Sequence, residues 1–368
     1  MALGARTGVP DDDQRELRRV VCEFLTRHSS EEQVRRSMTG GYEMDPWRRF
    51  GTELGLCGLA IPEKHGGVGV GYHELSIVFE EAGRALFCAP YFATIALAVE
   101  VLLHAEDEPA AAELLPALAA GERTATVAGL EPGGTAARRA AGEWLLDGVE
   151  SYVLDGHTAD LVLVFAHTDS GLSVFAVSAD DVPAGLRRTA VPTMDQTRPQ
   201  AELVFENVSA RLIGAEGAAD RILARATDAA AVLLAAEQLG GTTRALELAV
   251  EYAGVRSQYG RVIGSFQAVK HRLADMLVDV ECARSAVVDA VGALAEDAPD
   301  LPQAAALAKA FCSEIYTGVA AGCIQVHGGI GFTWEHPAHL YFKRAKSSEL
   351  LLGTPAYHRG RLAGLLGL

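Results

Sequence analysis

The chain has 368 residues, enough for two or three domains at roughly 100–200 residues each. Its composition, 49% apolar and 22% charged, is that of a folded protein and excludes a disordered one. With 32 Lys and Arg against 48 Asp and Glu the formal charge is −16, which leaves no positive field to attract nucleic acid. No apolar run approaches the roughly 20 residues of a membrane span. The opening M-A-L-G-A-R-T-G-V-P-D-D-D lacks the apolar stretch of a signal peptide, so the expected location is cytoplasmic. Six cysteines, at positions 22, 57, 88, 282, 312 and 323, form no C-x-x-C pair, which argues against a zinc site or a disulfide framework. Each lies in an apolar stretch and is expected to be a buried small hydrophobe.

In chain order, Asp11 to Ala120 reads as helix, in runs such as E-L-R-R-V-V-C-E-F-L and H-E-L-S-I-V-F-E-E-A-G-R-A-L. The glycine run His65–Gly71 lacks a preceding strand and a βαβ unit, so it is expected to be a turn between helices, not a dinucleotide loop. From Thr124 to Val208 short β-type runs alternate with turn dipeptides. W-L-L and V-E-S-Y-V-L flank Asp147-Gly148, a favourable two-residue hairpin turn, and Asp155-Gly156 closes the second run. After Gly217 the pattern is helical again. Val269, Leu273, Met276, Leu277 and Val280 make one stripe, and Phe311, Ile315, Val319 and Cys323 another. Asp220–Val255 is rich enough in Ala and Leu to be buried on most sides. The expected fold is mainly α with a β insert: an N-terminal helical domain (1–122), an antiparallel β sandwich or barrel (123–215) and a C-terminal four-helix bundle (216–368).

Two segments carry chemistry. Arg256 to Met276, R-S-Q-Y-G-R-V-I-G-S-F-Q-A-V-K-H-R-L-A-D-M, gathers a cation, an aromatic, a glycine break and an amide, groups suited to pyrophosphate and a flat heterocycle. Cys323 to His336, C-I-Q-V-H-G-G-I-G-F-T-W-E-H, supplies the Gln325 amide and glycines 328, 329 and 331, which let backbone approach a ligand. Taken singly, each could equally be a loop joining helices. Together with W-R-R-F-G-T-E-L-G-L-C-G-L-A-I-P-E-K-H-G-G in front, Trp144–Ala166 in the β region and the closing H-L-Y-F-K-R-A, they resemble the acyl-CoA dehydrogenase flavoproteins over nearly the whole chain. The flavour is that of actinobacterial members used in sterol side-chain breakdown and secondary metabolism.

The resemblance implies non-covalent FAD in a homotetramer or homodimer, or a heterotetramer with a homologue. It also implies an acyl thioester of coenzyme A or an acyl carrier protein as substrate, and electron-transfer flavoprotein or a similar acceptor. Arg256, Tyr259 and Gln267 match residues that contact the FAD of a neighbouring protomer. Gln325, in the glycine-flanked loop with Gly328, and Gly329 match positions that receive the adenine-side pyrophosphate. Thr354 matches a residue near the adenosine half. In the family a carboxylate removes the α proton while the β hydrogen leaves as hydride, and the base residue's own N–H polarises the thioester carbonyl.

The family's Y-E-G-T here reads Leu351-Leu352-Gly353-Thr354, so Leu352 stands at the base position and offers only its N–H; the alternative location is Ala230. T-E-P-G becomes Leu130-Glu131-Pro132-Gly133, W-I-T becomes Tyr152-Val153-Leu154, and the substrate-side D-x-x-R becomes Asp228 and Ala231. Two other carboxylates are candidate bases. Glu237 lies two turns beyond Ala230 on the same face, where its other reading is a helix–helix ion pair; Glu349 lies one turn before Leu352. Glu335 is a third, weaker candidate. The expected function is dehydrogenation of a specialised acyl thioester, shifted for instance to the γ,δ position of an unsaturated one. The alternative is an FAD-supporting subunit of a heterotetramer.

Overall fold

In the computed structural model residues 10–131, 134–179 and 183–368 are described. Among the described residues six α-helices open the chain: α1 (Asp12–His28), α2 (Glu31–Gly40), α3 (Met44–Thr52), α4 (Tyr72–Arg84), α5 (Glu100–His104), which continues a π-helix over Phe92–Val99, and α6 (Glu108–Ala119). The first begins where Asp11 accepts the Gln14 N–H and the Gln14 side chain returns to the Asp11 N–H, a reciprocal cap. The backbone falls into two units. One comprises Met1–Gly40, Tyr72–Cys88 and Ala231–Leu368; the other comprises Gly41–Gly71 and Ala89–Ala230.

The first unit contains α1, α2, α4 and the long C-terminal helices. Helix α7 (Ala219–Val255) enters it at Ala231. From Asp228 to Thr242 every residue of α7 is buried, as its Ala/Leu composition requires. Glycines let α4 and α7 touch backbone to backbone: a Cβ on Gly83 would lie 1.9 Å from the Glu237 carbonyl oxygen, and one on Gly240 only 1.7 Å from that of Glu80. Helices α8 (Gln267–Ala295) and α9 (Leu301–His327) are joined by a short turn and so run antiparallel. Met276 Sδ lies against Gly322, so the end of α9 sits beside the start of α8. Helices α10 (Ala338–Leu350) and α11 (Pro355–Leu365) pack on α9.

The second unit holds α3, α5, α6 and seven strands: β1 (Ala125–Ala128), β2 (Thr135–Ala140), β3 (Glu143–Leu154), β4 (Leu161–Thr168), β5 (Gly171–Ser178), β6 (Leu186–Val191) and β7 (Gln200–Ile213). The pairings β4–β2–β3–β7–β5–β4 close on themselves, so the insert is a barrel; β6 adds to β7. It is filled by Leu146, Val164, Phe175, Leu203, Phe205 and their neighbours. Most pairs are antiparallel, but β1 and β2 each run parallel to β4.

The mainly helical fold with its β insert is as expected. Two local expectations are corrected. Asp147-Gly148 is no hairpin turn: β3 runs straight through it, Gly148 marks a register shift against β7, and the hairpin closes at Ala141-Gly142, both at positive φ. A Cβ on Gly148 would lie 2.3 Å from the Gly134 carbonyl oxygen, so the glycine serves a close approach within the sheet. Cys22 and Cys282 are exposed, while the other four cysteines are buried. Cys22 falls on the side of α1 away from Val21, Phe24 and Leu25, and Cys282 lies between the buried Val280 and Ala283 of α8. His65–Gly71 joins helical segments as expected.

Candidate functional site

The segment between α7 and α8 folds back on itself as a small hairpin, β8 (Ser257–Gln258) and β9 (Arg261–Val262). Its two-residue turn is Tyr259-Gly260, with φ +52° and +75°, the geometry that matches the twist of paired strands. The turn holds the Tyr259 ring out in solvent, 92% exposed. Behind it the Arg261 guanidinium lies 4.1 Å over the Phe266 ring. Arg256 and Gln267 are exposed on either side of this hairpin.

At the neighbouring end of α9, Gln325, Gly328 and Gly329 are exposed too. Gly328 turns out of the helix at φ +64°, ψ −140°, a conformation reserved for glycine, and its N–H caps the Gln325 carbonyl. A Cβ on Gly328 or Gly329 would meet nothing within 4 Å, so backbone is open there to a ligand. Cation, phenol, two amides and open backbone thus face outward at one end of the helices. These donors fit a group that carries a pyrophosphate and a flat ring. Phe332 and Trp334, 83% and 60% exposed, extend the same region, and Lys343 Nζ lies 4.0 Å over the Trp334 ring. Their sequence signal is the aromatic pair in G-F-T-W at the end of the glycine loop.

A second group of residues lies elsewhere. Leu352 and Thr354 sit in the turn between α10 and α11, and the Thr354 hydroxyl caps α11 by accepting the Tyr357 N–H. Leu352 has φ +60°, the left-handed region that a residue with a side chain rarely adopts. Among the described residues its N–H makes no hydrogen bond. Lys309 on α9 reaches this turn, donating to the Gly353 carbonyl at 3.1 Å. Lys309 and Gln325 are sixteen residues apart on one helix, so the two groups are separated by roughly 24 Å along its axis. The structure brings the hairpin and glycine residues together and keeps Leu352, Thr354 and Glu349 apart from them.

The candidate bases are both engaged. The Glu237 carboxylate accepts a hydrogen bond from Arg344 Nη1 at 2.7 Å, with both side chains buried. Glu349 accepts from Thr317 Oγ1 at 2.8 Å and Lys346 Nζ at 2.7 Å. Burial pushes its carboxyl up, but the bonds from Lys346 and Thr317 outweigh that and hold it below the usual carboxylate range. Glu335 is exposed. Ala230, Ala231 and Asp228 are all buried in α7. Of the flavin-side substitutions, Pro132 and Gly133 lie outside the described residues, and Tyr152 projects from β3, 64% exposed. A separate cavity of about 390 Å³, lined by Ser29, Glu81, Arg84, Arg244 and Tyr341, contains none of these residues.

Two family models match the chain: acyl-CoA dehydrogenase, N-terminal domain, over residues 11–122, and acyl-CoA dehydrogenase, C-terminal domain, over residues 220–366. Acyl-CoA dehydrogenase IpdE2 of Mycobacterium tuberculosis is 37% identical over 350 residues, covering 94% of this chain and 95% of the relative. The chain belongs to the acyl-CoA dehydrogenase family. The family's members are FAD-dependent oxidoreductases acting on CH–CH groups, and this chain has their fold. Among solved structures, the ChsE4–ChsE5 complex of Mycobacterium tuberculosis matches with TM-score 0.89 and 29% identity over 98% of both chains. The Tcur3481–Tcur3483 steroid ACAD matches with TM-score 0.87 and 31% identity, over 97% of this chain and 98% of that one.

Proposed function

We propose that the chain dehydrogenates a specialised acyl thioester, carried by coenzyme A or an acyl carrier protein, with the reaction moved away from the usual α,β position. The single observation that carries this reading is the turn at Leu352: it keeps the left-handed conformation and an unpaired N–H although its side chain can no longer act as a base. A backbone N–H without an intramolecular partner is a donor for a developing carbonyl charge. Leu352 puts an isobutyl group where a carboxylate would take the α proton. On an already unsaturated thioester the γ hydrogens are acidified by conjugation, so proton removal further along the chain is chemically open. Glu349, ionised at neutral pH and one helical turn before Leu352, is the first carboxylate to test as acceptor.

FAD, when bound, supplies the two-electron acceptor. Arg256, Tyr259, Gln267, Gln325, Gly328 and Gly329 would hold it from a neighbouring copy, and Thr354 from its own chain. The separation of the two groups along α9 supports a cofactor site completed between chains. A division into 1–122, 123–215 and 216–368 and a cytoplasmic setting belong to this reading.

A second reading is favoured by a different observation. Glu237 and Glu349 are both bound by cations, so neither is a free base. In that case the chain would support FAD for a catalytic homologue, and two of the solved relatives are named as pairs of different proteins. Anaerobic titration of the FAD-loaded chain with a panel of saturated and α,β-unsaturated thioesters separates the two. Flavin bleaching by some thioester, abolished by Glu349→Gln with FAD retained, supports the first. A chain inert to every thioester until a homologue is added supports the second, and turnover of ordinary saturated short-chain acyl-CoA at usual family rates sinks the first.

A further inference from the structure

Lys309 lies in the run L-A-K-A-F-C, in the interior of α9, with its side chain wholly buried. Its ammonium spends its three donors on three neutral oxygens: Ser313 Oγ at 3.0 Å, the Gly353 carbonyl at 3.1 Å and the Glu349 carbonyl at 3.3 Å. The Glu349 carbonyl belongs to the last turn of α10, the negative end of that helix. From the other side His358, also wholly buried, donates from Nε2 to the Leu352 carbonyl at 2.8 Å, which fixes its tautomer. The Gly353 N–H in turn closes on the Leu350 carbonyl at 3.2 Å.

The consecutive carbonyls of Leu352 and Gly353 are therefore each gripped by a buried side chain, and Lys309 also holds the Glu349 carbonyl on the N-terminal side of the turn. Leu352, at φ +60°, lies between the held Glu349 carbonyl and its own held carbonyl, a conformation that persists only where the surroundings over-determine it. Burying an ammonium is unfavourable, and burial pulls Lys309 down to about 8. A residue wanted only to fill α9's interface would be Leu or Met, which pack without that cost. The sequence carried the signal, a lone lysine in an alanine-rich helix, in the same form as the lone Glu237.

We infer that Lys309 and His358 are positioning residues that lock the α10–α11 turn so that the Leu352 N–H points at a thioester carbonyl. Neither touches the substrate; they act through the two carbonyls. The inference rests on the reading that this chain binds a thioester at that turn.

The test uses the full-length, FAD-loaded protein and crotonyl-coenzyme A labelled with ¹³C at the carbonyl, read by difference infrared spectroscopy. In the wild type the bound carbonyl stretch is expected below that of the free ligand. In Lys309→Met and His358→Leu at least half of that shift is lost, with the dissociation constant changed less than threefold, and His358→Gln, which keeps a donor, recovers part of it. Folded, FAD-loaded variants that keep the wild-type band overturn the inference alone, because the turn is then set by packing. A wild type with no shift removes the thioester reading and the inference together. Should Lys309→Met fail to fold, the pair His358→Leu and His358→Gln decides on the same criterion.

Discussion

Glu237 and Arg344 lie 2.7 Å apart with both side chains withdrawn from water, one on α7 and the other on α10. Removing one partner of a buried ion pair costs more than the pair contributes, because the remaining charge stays withdrawn from water. Glu237→Gln is expected to destabilise the protein by about 3–5 kcal/mol in denaturant unfolding. The double change Glu237→Leu with Arg344→Leu should recover most of that. A Glu237→Gln protein as stable as the wild type but unable to be bleached would instead mark Glu237 as the base. His339 offers a second test at this scale. Burial lowers its pKa to about 4, helped by Lys343 and Arg35 and opposed by Glu31; His336 also lowers it. The folded imidazole stays neutral where the unfolded one, near 6.5, takes a proton. Its contribution is therefore present above about pH 6.5 and is lost as pH falls toward 4, roughly 3 kcal/mol in all. His339→Phe should flatten the stability profile across that window, measured by urea midpoints at half-unit steps.

Two turn dipeptides, only one of which turns the chain, show what is and is not legible at the level of elements. Asp147-Gly148 carried the stronger dipeptide signal, yet the turn forms at Ala141-Gly142, because registry with β7 keeps β3 extended through Asp147. Dipeptide preference is local; strand registry is set by partners far along the chain. The long helices form where their stripes repeat, since such stripes lie within one element and need no distant partner; Leu277 is the exception, expected on the α8 stripe but 52% exposed, while Met276 and Val280 are buried. A lone lysine in the alanine-rich run of α9 marks Lys309 as unusual, but its grip with His358 on one turn joins α9, α10 and α11 through backbone carbonyls, which no sequence pattern marks. Gly148 gives a sharp prediction. Gly148→Ala would press a methyl 2.3 Å from the Gly134 oxygen and 2.6 Å from Thr135 Cα, neither of which is a movable side-chain tip. A loss of roughly 2 kcal/mol or more is expected, with the barrel rather than the helices unfolding early in hydrogen exchange. Gly142→Ala meets no neighbour within 4 Å and should cost less, from its φ of +94° alone.

At the scale of the whole molecule, the ordered set of motifs made the family legible, and the separation along α9 came only with the structure. Arg256, Tyr259, Gln267, Gln325 and the two glycines face outward at one end, roughly 24 Å from the turn that carries Leu352 and Thr354. One chain cannot close both groups on one end of a cofactor, so FAD retention should depend on association. Dilution through the dissociation range is expected to release FAD in step with the loss of the oligomer, followed by flavin fluorescence and light scattering on the same samples. The double variant Arg256→Ala, Tyr259→Ala should lose FAD at concentrations where the wild type keeps it, with helix content unchanged, because both side chains are exposed and, among the described residues, Tyr259 meets only the Phe266 ring within its own segment. FAD held equally well by a diluted monomer would show the site to be complete within one chain. A chain that takes up no FAD alone at any concentration, but does so once a homologous dehydrogenase chain is added, would place it in a heteromeric assembly and shift the function to the supporting role.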